Sequence, residues 1–213
     1  MDDDSLRAAF EAHEWPVVGF TTAEHSNLTS LRAAAITEGA ERVGSYLTTL
    51  SAVIVALGFV ANKSGFDDTF FAFGAVSLGL VSAVGLLTWG RSLQISLEDL
   101  RLVARIERIR AVYVTLVPEL ADHLRDPNAR NPEQARFATG MSASDWTQPF
   151  LTMPQLIGVV NSAVAATVLA FVTRLTTGSA AGAWGLAATT SVLFAGLHVV
   201  VQMRFVRSAF RSN

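Results

Sequence analysis

Asn161 and His198 are the two residues of this sequence whose chemistry stands out most from their surroundings. Each is embedded in a long apolar run: QLIGVVNSAVAATVLAFVT for the amide and AWGLAATTSVLFAGLHVVVQM for the imidazole. If both runs are helices across a membrane, Asn161 lies about 9 Å from one end of its run and His198 about 7.5 Å from the end of the other. The depths nearly match, which puts the two within reach of a direct hydrogen bond. Thr48 and Thr49, in the run GSYLTTLSAVIVALGFVA, reach the same level. Polar side chains inside a bilayer are costly and mark functional sites by default. An imidazole titrates near neutral pH, so one reading of this cluster is a proton-sensitive gate or polar constriction. The other is an interhelical hydrogen bond worth about 0.6 kcal/mol.

The patterns of catalysis are missing. His13, His25, His123 and His198 are scattered, and none belongs to an HExxH pair. No glycine-rich phosphate loop with a following lysine occurs, and no GxSxG. There is no cysteine, so thiol catalysis and thiolate-held metals are excluded. Asp2, Asp3 and Asp4 read as a solvated charge run, and Asp67 and Asp68 as a turn. No enzymatic activity, metal or cofactor is expected. The apolar runs hold no carboxylate, which disfavours an ion-coupled transporter.

The elements that would position these residues are four runs of span length: 44–61, 69–89, 155–173 and 183–203. None contains Asp, Glu, Lys or Arg. Each approaches the roughly 20 residues needed to cross about 30 Å of hydrocarbon. Charged residues make up 16% of the chain and hydrophobic ones 51%, against about 25% charged in a soluble domain. The net charge of −2 provides no basic field to gather nucleic acid. The N-terminal residues lack the basic and apolar regions of a cleaved signal. Of the sixteen basic residues, fourteen lie in 1–43, 90–154 and 204–213. Only Lys63 and Arg174 lie in the other two connections. Positive-inside bias therefore places both termini and the middle segment in the cytoplasm. The expected fold is all-α: two transmembrane hairpins (44–61 with 69–89, and 155–173 with 183–203) in the inner, plasma membrane. Trp89, Trp146 and Trp184 are expected at span ends as interfacial anchors.

Beyond the first hairpin lies LRLVARIERIRAVYVTLVPEL. Leu102, Ile106, Ile109, Tyr113, Leu116 and Leu120 step by three and four, a helical stripe suited to association. Arg101, Arg105 and Arg108 repeat beside it. Their cost of about 2.5–3.5 kcal/mol each at a bilayer centre keeps the segment out of the membrane, where they would meet lipid phosphates at its surface. Leu93, Leu97, Leu100, Ala104 and Ala111 form a second apolar face, so the helix is expected between two partners. No proline interrupts 69–117. Span two is therefore expected to run on as one long cytoplasmic helix to about 117, ended by Pro118, with a short piece at 119–125. Its partner in the chain would be 29–43, capped by Thr29 or Ser30 and leading into span one. A separate short helix at 5–14 would end at Pro16, and 126–154 reads as loop.

Small residues recur at helical spacing: Ala75, Gly79 and Ala83; Ser162, Ala166 and Ala170; Ala187, Ser191 and Ala195. They let backbones approach, either within the monomer or between copies. Gly44 aligned with Gly158 brings several further small residues into register, a weak internal echo of one hairpin in the other.

At LRAAAITEGAERVGSYLTTLSA and LEDLRLVARIERIRAVYVTLVPEL the sequence resembles uncharacterised four-helix integral membrane proteins of actinobacterial type, a group that brings no activity or site residues. The first hairpin with its cytoplasmic helix also resembles, in layout, the two-span SLATT-type membrane effectors; this chain departs from them by its second hairpin. The readings carried forward are a scaffold or regulatory membrane subunit, an oligomeric channel or pore, and, more weakly supported, a transporter. The expected partners are membrane lipid and a second copy of the chain or another protein, with no nucleic acid.

Overall fold

The computed structural model describes residues 3–118 and 152–211, with side chains at residue 8, 18–118 and 152–204. Four helices account for the described elements: α1 (Asp3–Ser64), α2 (Asp68–Leu116), α3 (Met153–Thr177) and α4 (Ala180–Arg211). Each contains one of the four apolar runs, and each is long and apolar enough to cross a membrane. The helices extend past the runs, because a run marks only the stretch that hydrocarbon would tolerate.

Two expectations about α1 are corrected. The helix does not stop before Pro16 but continues across it. Proline there removes one donor, the N–H that would have met the Ala12 carbonyl. Thr29 and Ser30 do not cap a helix start either. Their hydroxyls donate back to the carbonyls of His25 (2.9 Å) and Ser26 (3.0 Å), as mid-helix hydroxyls do. At α2 the helix runs unbroken to Leu116, one turn closed by Val117 N–H on Tyr113 O, immediately before Pro118. The piece expected at 119–125 lies outside the described residues, as do Trp146 and the segment 119–151.

The connections are short. Gly65 has φ +69° and donates its N–H to Ala61 O, closing α1 in a left-handed turn that favours glycine. Asp67 then accepts the Phe70 N–H on Oδ1 at 2.9 Å, the N-cap contact of α2. Gly178 (φ +70°) ends α3 in the same way, donating to Arg174 O.

The chain divides into two compact units. The described part of the first consists of α1 up to Glu38 and α2 from Ile95. Its core is Leu28, Leu102 and Ile106, with Ile109 packed against them. Arg32 Nε pairs with Asp99 at 2.7 Å, and Arg105 with Glu24 at 2.8 Å. Tyr113 joins Thr21 through its hydroxyl at 3.0 Å. Thr21 donates its own proton to Val18 O, so the phenol is the donor of that pair.

The second unit contains α1 from Gly39, α2 up to Gln94, α3 and α4. Its main core joins three helices: Val43, Tyr46 and Leu57 of α1, Phe70, Leu78 and Val81 of α2, and Ile157, Val164 and Phe171 of α3. Phe70 and Phe71 stack at an angle on Phe171, and the Arg174 guanidinium lies over the Phe71 ring. Gly74 lets Phe171 approach, since a Cβ there would overlap its ring. Ala166 and Ala170 of α3 meet Ala183 and Ala187 of α4, so these small residues serve packing within the chain. Gly79, by contrast, has open space around it, and Ala83 is exposed.

The outside of this unit is apolar. Val76, Leu80 and Leu87 of α2 and Val192 and Leu193 of α4 are each at least two-thirds exposed. In water this area would be a large aggregation surface; in hydrocarbon it is solvated. Exposed hydroxyls complete the picture. Thr49, Ser51, Thr88, Thr167, Thr176 and Thr189 each donate to the carbonyl four residues earlier. A hydroxyl with such an internal acceptor does not need water. The chain is a multi-pass membrane protein by these features.

Candidate functional site

The polar residues of the second unit gather around α3. Asn161, 4% exposed, accepts a hydrogen bond on Oδ1 from the Tyr46 hydroxyl at 3.3 Å. Gly85 of α2 makes room for both: a Cβ there would overlap Asn161 Oδ1 and come within 2.8 Å of the Tyr46 ring. This amide is therefore held by α1 and α2, not by α4.

His198 has other partners. Its Nδ1 lies 2.7 Å from Phe194 O and 3.4 Å from Ser162 Oγ. A carbonyl only accepts, so Nδ1 carries the proton. Ser162 donates its own proton to Gly158 O at 2.6 Å. A serine beside a histidine can be a nucleophile and its base, but here the hydroxyl proton points away from the imidazole and Ser162 is fully buried. The pair is built as a packing contact. Gly158 lets α4 close on it, a Cβ at that position lying 3.2 Å from the His198 side chain. Trp89 of α2 meets the imidazole edge-on, with centroids 4.5 Å apart.

One turn further along both helices the polarity continues. Gln202 of α4 donates through Nε2 to Thr152 Oγ1 at 2.8 Å, while its Oε1 is buried without a partner. Gln155, 1% exposed, has both amide atoms unpartnered. The Trp89 indole N–H is buried and unpartnered too. Orphaned polar groups in hydrocarbon cost several kcal/mol each. Such groups are tolerated where water or headgroups can reach, which is the level expected for Trp89 as an interfacial residue.

The expected constellation is therefore rearranged. Asn161 and His198 do lie at neighbouring positions on α3 and α4, but they bond to Tyr46 and to Phe194 with Ser162, respectively, and not to each other. The reason is rotational: Ser162, one residue on from Asn161, takes the α3 face toward His198, and Asn161 turns toward α1. Thr48 and Thr49 do not join. Both are exposed, and Thr49 is satisfied by Ser45 O. Tyr46, Gly85, Ser162, Trp89, Gln155 and Gln202 belong to the cluster without having been singled out for it. Tyr46, two residues before Thr48 and the one tyrosine in the four apolar runs, was the available signal.

In the first unit the association stripe falls on α1 of the same chain. Leu102 and Ile106 are buried against Leu28; Ile109, Tyr113 and Leu116 are half-buried. Leu120 lies outside the described residues. The second apolar face, Leu93, Leu97, Leu100, Ala104 and Ala111, is buried or half-buried as well. Between 95 and 116 only Glu98, Arg101, Arg105 and Arg108 are exposed, a single stripe at steps of three and four. Arg105 within it is bound to Glu24 through Nη2. Among the described residues, no group of three or more potential metal-ligating side chains occurs.

Comparison with protein-family models, with curated proteins and with solved structures finds no match to this chain.

Proposed function

We propose that the protein is a non-enzymatic membrane scaffold or regulatory subunit, with the first unit in the cytoplasm mediating protein association. The spans form two hairpins in the plasma membrane with both termini inside, as the arginine distribution requires. One observation supports this reading most. The two helices that carry the first hairpin also carry a separate compact unit, with its own apolar core and two interhelical ion pairs. That unit offers an exposed charged stripe on α2, Glu98, Arg101, Arg105 and Arg108, and exposed apolar side chains on α1, Phe20 and Leu31. A protein acting only within the bilayer has no need of it.

The test uses a cross-linkable residue at Phe20 in cells. The reading expects a defined adduct in the chain so labelled that the added double variant R101E/R108E loses, with membrane insertion unchanged. Adducts that the variant retains in full would remove the stripe from the account.

An oligomeric pore is the second reading. It is favoured by the outward face of α1, where Gly44, Ser45, Thr48 and Ala52 are all exposed, a small and hydroxyl-bearing strip that several copies could turn toward a common axis. A complex of four or more chains in detergent, with conductance in planar bilayers, would support it. A silent monomer would remove it.

A further inference from the structure

A cleft of about 170 Å³ opens between α1 and α2 within the first unit. His25, Thr29 and Arg32 line it from α1, and Glu107 and Arg110 from α2, over an apolar floor that includes Ile106. Both arginines are held in place by one bond each. Arg32 uses Nε for Asp99 at 2.7 Å, and Arg110 uses Nη1 for Glu107 at 2.7 Å. A guanidinium carries five N–H donors in a planar fork, so most of the donors on either side remain uncommitted. His25 adds a third element: its Nδ1 is buried and has no partner. The one carboxylate in the lining, Glu107, and Arg110 pair through a single Nη1 contact, as Arg32 and Asp99 do through Nε, so each pair leaves guanidinium N–H groups for an anion.

We infer that this cleft is a binding site for a phosphate-type oxyanion. Two guanidinium forks, Arg32 from α1 and Arg110 from α2, line one small cleft together with the His25 imidazole. A tetrahedral oxyanion presents three oxygens to three such donors, where a planar carboxylate presents two. Charge-assisted, bidentate arginine contacts are the strong form of this recognition. The volume suits a single phosphate group with a small substituent, being below the roughly 300–1,000 Å³ of sites for larger ligands. The buried Nδ1 adds a polar ring atom that has no partner in the chain and is left for a ligand to meet. The phosphate could belong to a soluble ester or to a phospholipid headgroup.

The test titrates inorganic phosphate into the full-length protein by calorimetry at low ionic strength, in nanodiscs of zwitterionic lipid. Saturable binding is expected. Arg110→Gln and His25→Phe should each weaken it about tenfold, while Arg204→Gln, an exposed arginine of α4 that does not line the cleft, leaves it unchanged. Arg110→Lys keeps the charge but loses the fork, and substitutes for Arg110→Gln if that variant misfolds. Repeating the titration in discs containing phosphatidylglycerol separates the two sources. Competition by the lipid points to a headgroup and its absence to a soluble phosphate, and either keeps the site. No saturable binding in the zwitterionic discs would overturn the inference. So would binding indifferent to both cleft substitutions, or equally reduced by Arg204→Gln.

Discussion

Tyr46 and Asn161 show what a single polar contact does in this molecule. Removing the phenol in Tyr46→Phe should cost only about 0.6 kcal/mol, because a membrane-embedded amide finds substitutes. Thermal unfolding in detergent should register a small shift. Gly85→Leu is different: the added side chain has nowhere to go but into Asn161 and Tyr46. Overpacking of that kind costs about 1–3 kcal/mol, so its unfolding midpoint should fall well below that of Tyr46→Phe. Equal shifts would mean the helices separate easily at Gly85. Asp67 carries a pH signature. The Phe70 N–H is the first cause holding its carboxyl below the ordinary carboxylate range. A lowered folded value means the cap stabilises fully above the unfolded carboxylate range, about pH 4, and is lost as pH falls through the lower folded value. Asp67→Ala should therefore lower the midpoint at pH 7, with the gap to wild type closing in acid. Asp67→Asn, which can still cap, should remove that acid dependence.

At the scale of elements, the apolar runs announced all four helices, since twenty uncharged residues have few other uses. Their full extents were less legible. Past the hydrocarbon-compatible stretch the sequence turns polar, and nothing in composition distinguishes a helix that continues from one that ends. Pro118 was a readable stop, while Pro16 was a misleading one, because one lost hydrogen bond does not terminate a long helix. The stripe from Leu102 was legible as a helical face, and its main occupant, Leu28, lies in a stretch whose period is diluted by alanines and polar residues. The polar cluster was half legible. Asn161 and His198 declared themselves by type and depth, but their partners depend on helix rotation, which neighbouring residues Asn161 and Ser162 settle only once α1 and α4 are in place. Leu28→Ala tests the first unit directly. Truncating a buried leucine costs about 2–5 kcal/mol. Hydrogen exchange should rise across 18–38 and 95–116, with 153–177 unaffected. An unchanged exchange pattern would show that the unit does not depend on this core.

At the scale of the whole molecule, the account rests on the side of the membrane that each connection faces. Under the proposed topology Gln155, Gln202, Trp89 and the arginines of α2 lie on the cytoplasmic side or interface, and Gly65–Asp67 and Gly178 lie in the outer turns. The chain has no cysteine, so single cysteines can report position without a background. The direct measurement is labelling of Asn62→Cys, Ser179→Cys and Arg101→Cys with a membrane-impermeant maleimide, in intact cells and after lysis. The account predicts that the first two label in intact cells and that Arg101→Cys labels only after lysis. Labelling of Arg101→Cys from outside, with the two turns protected, would contradict it.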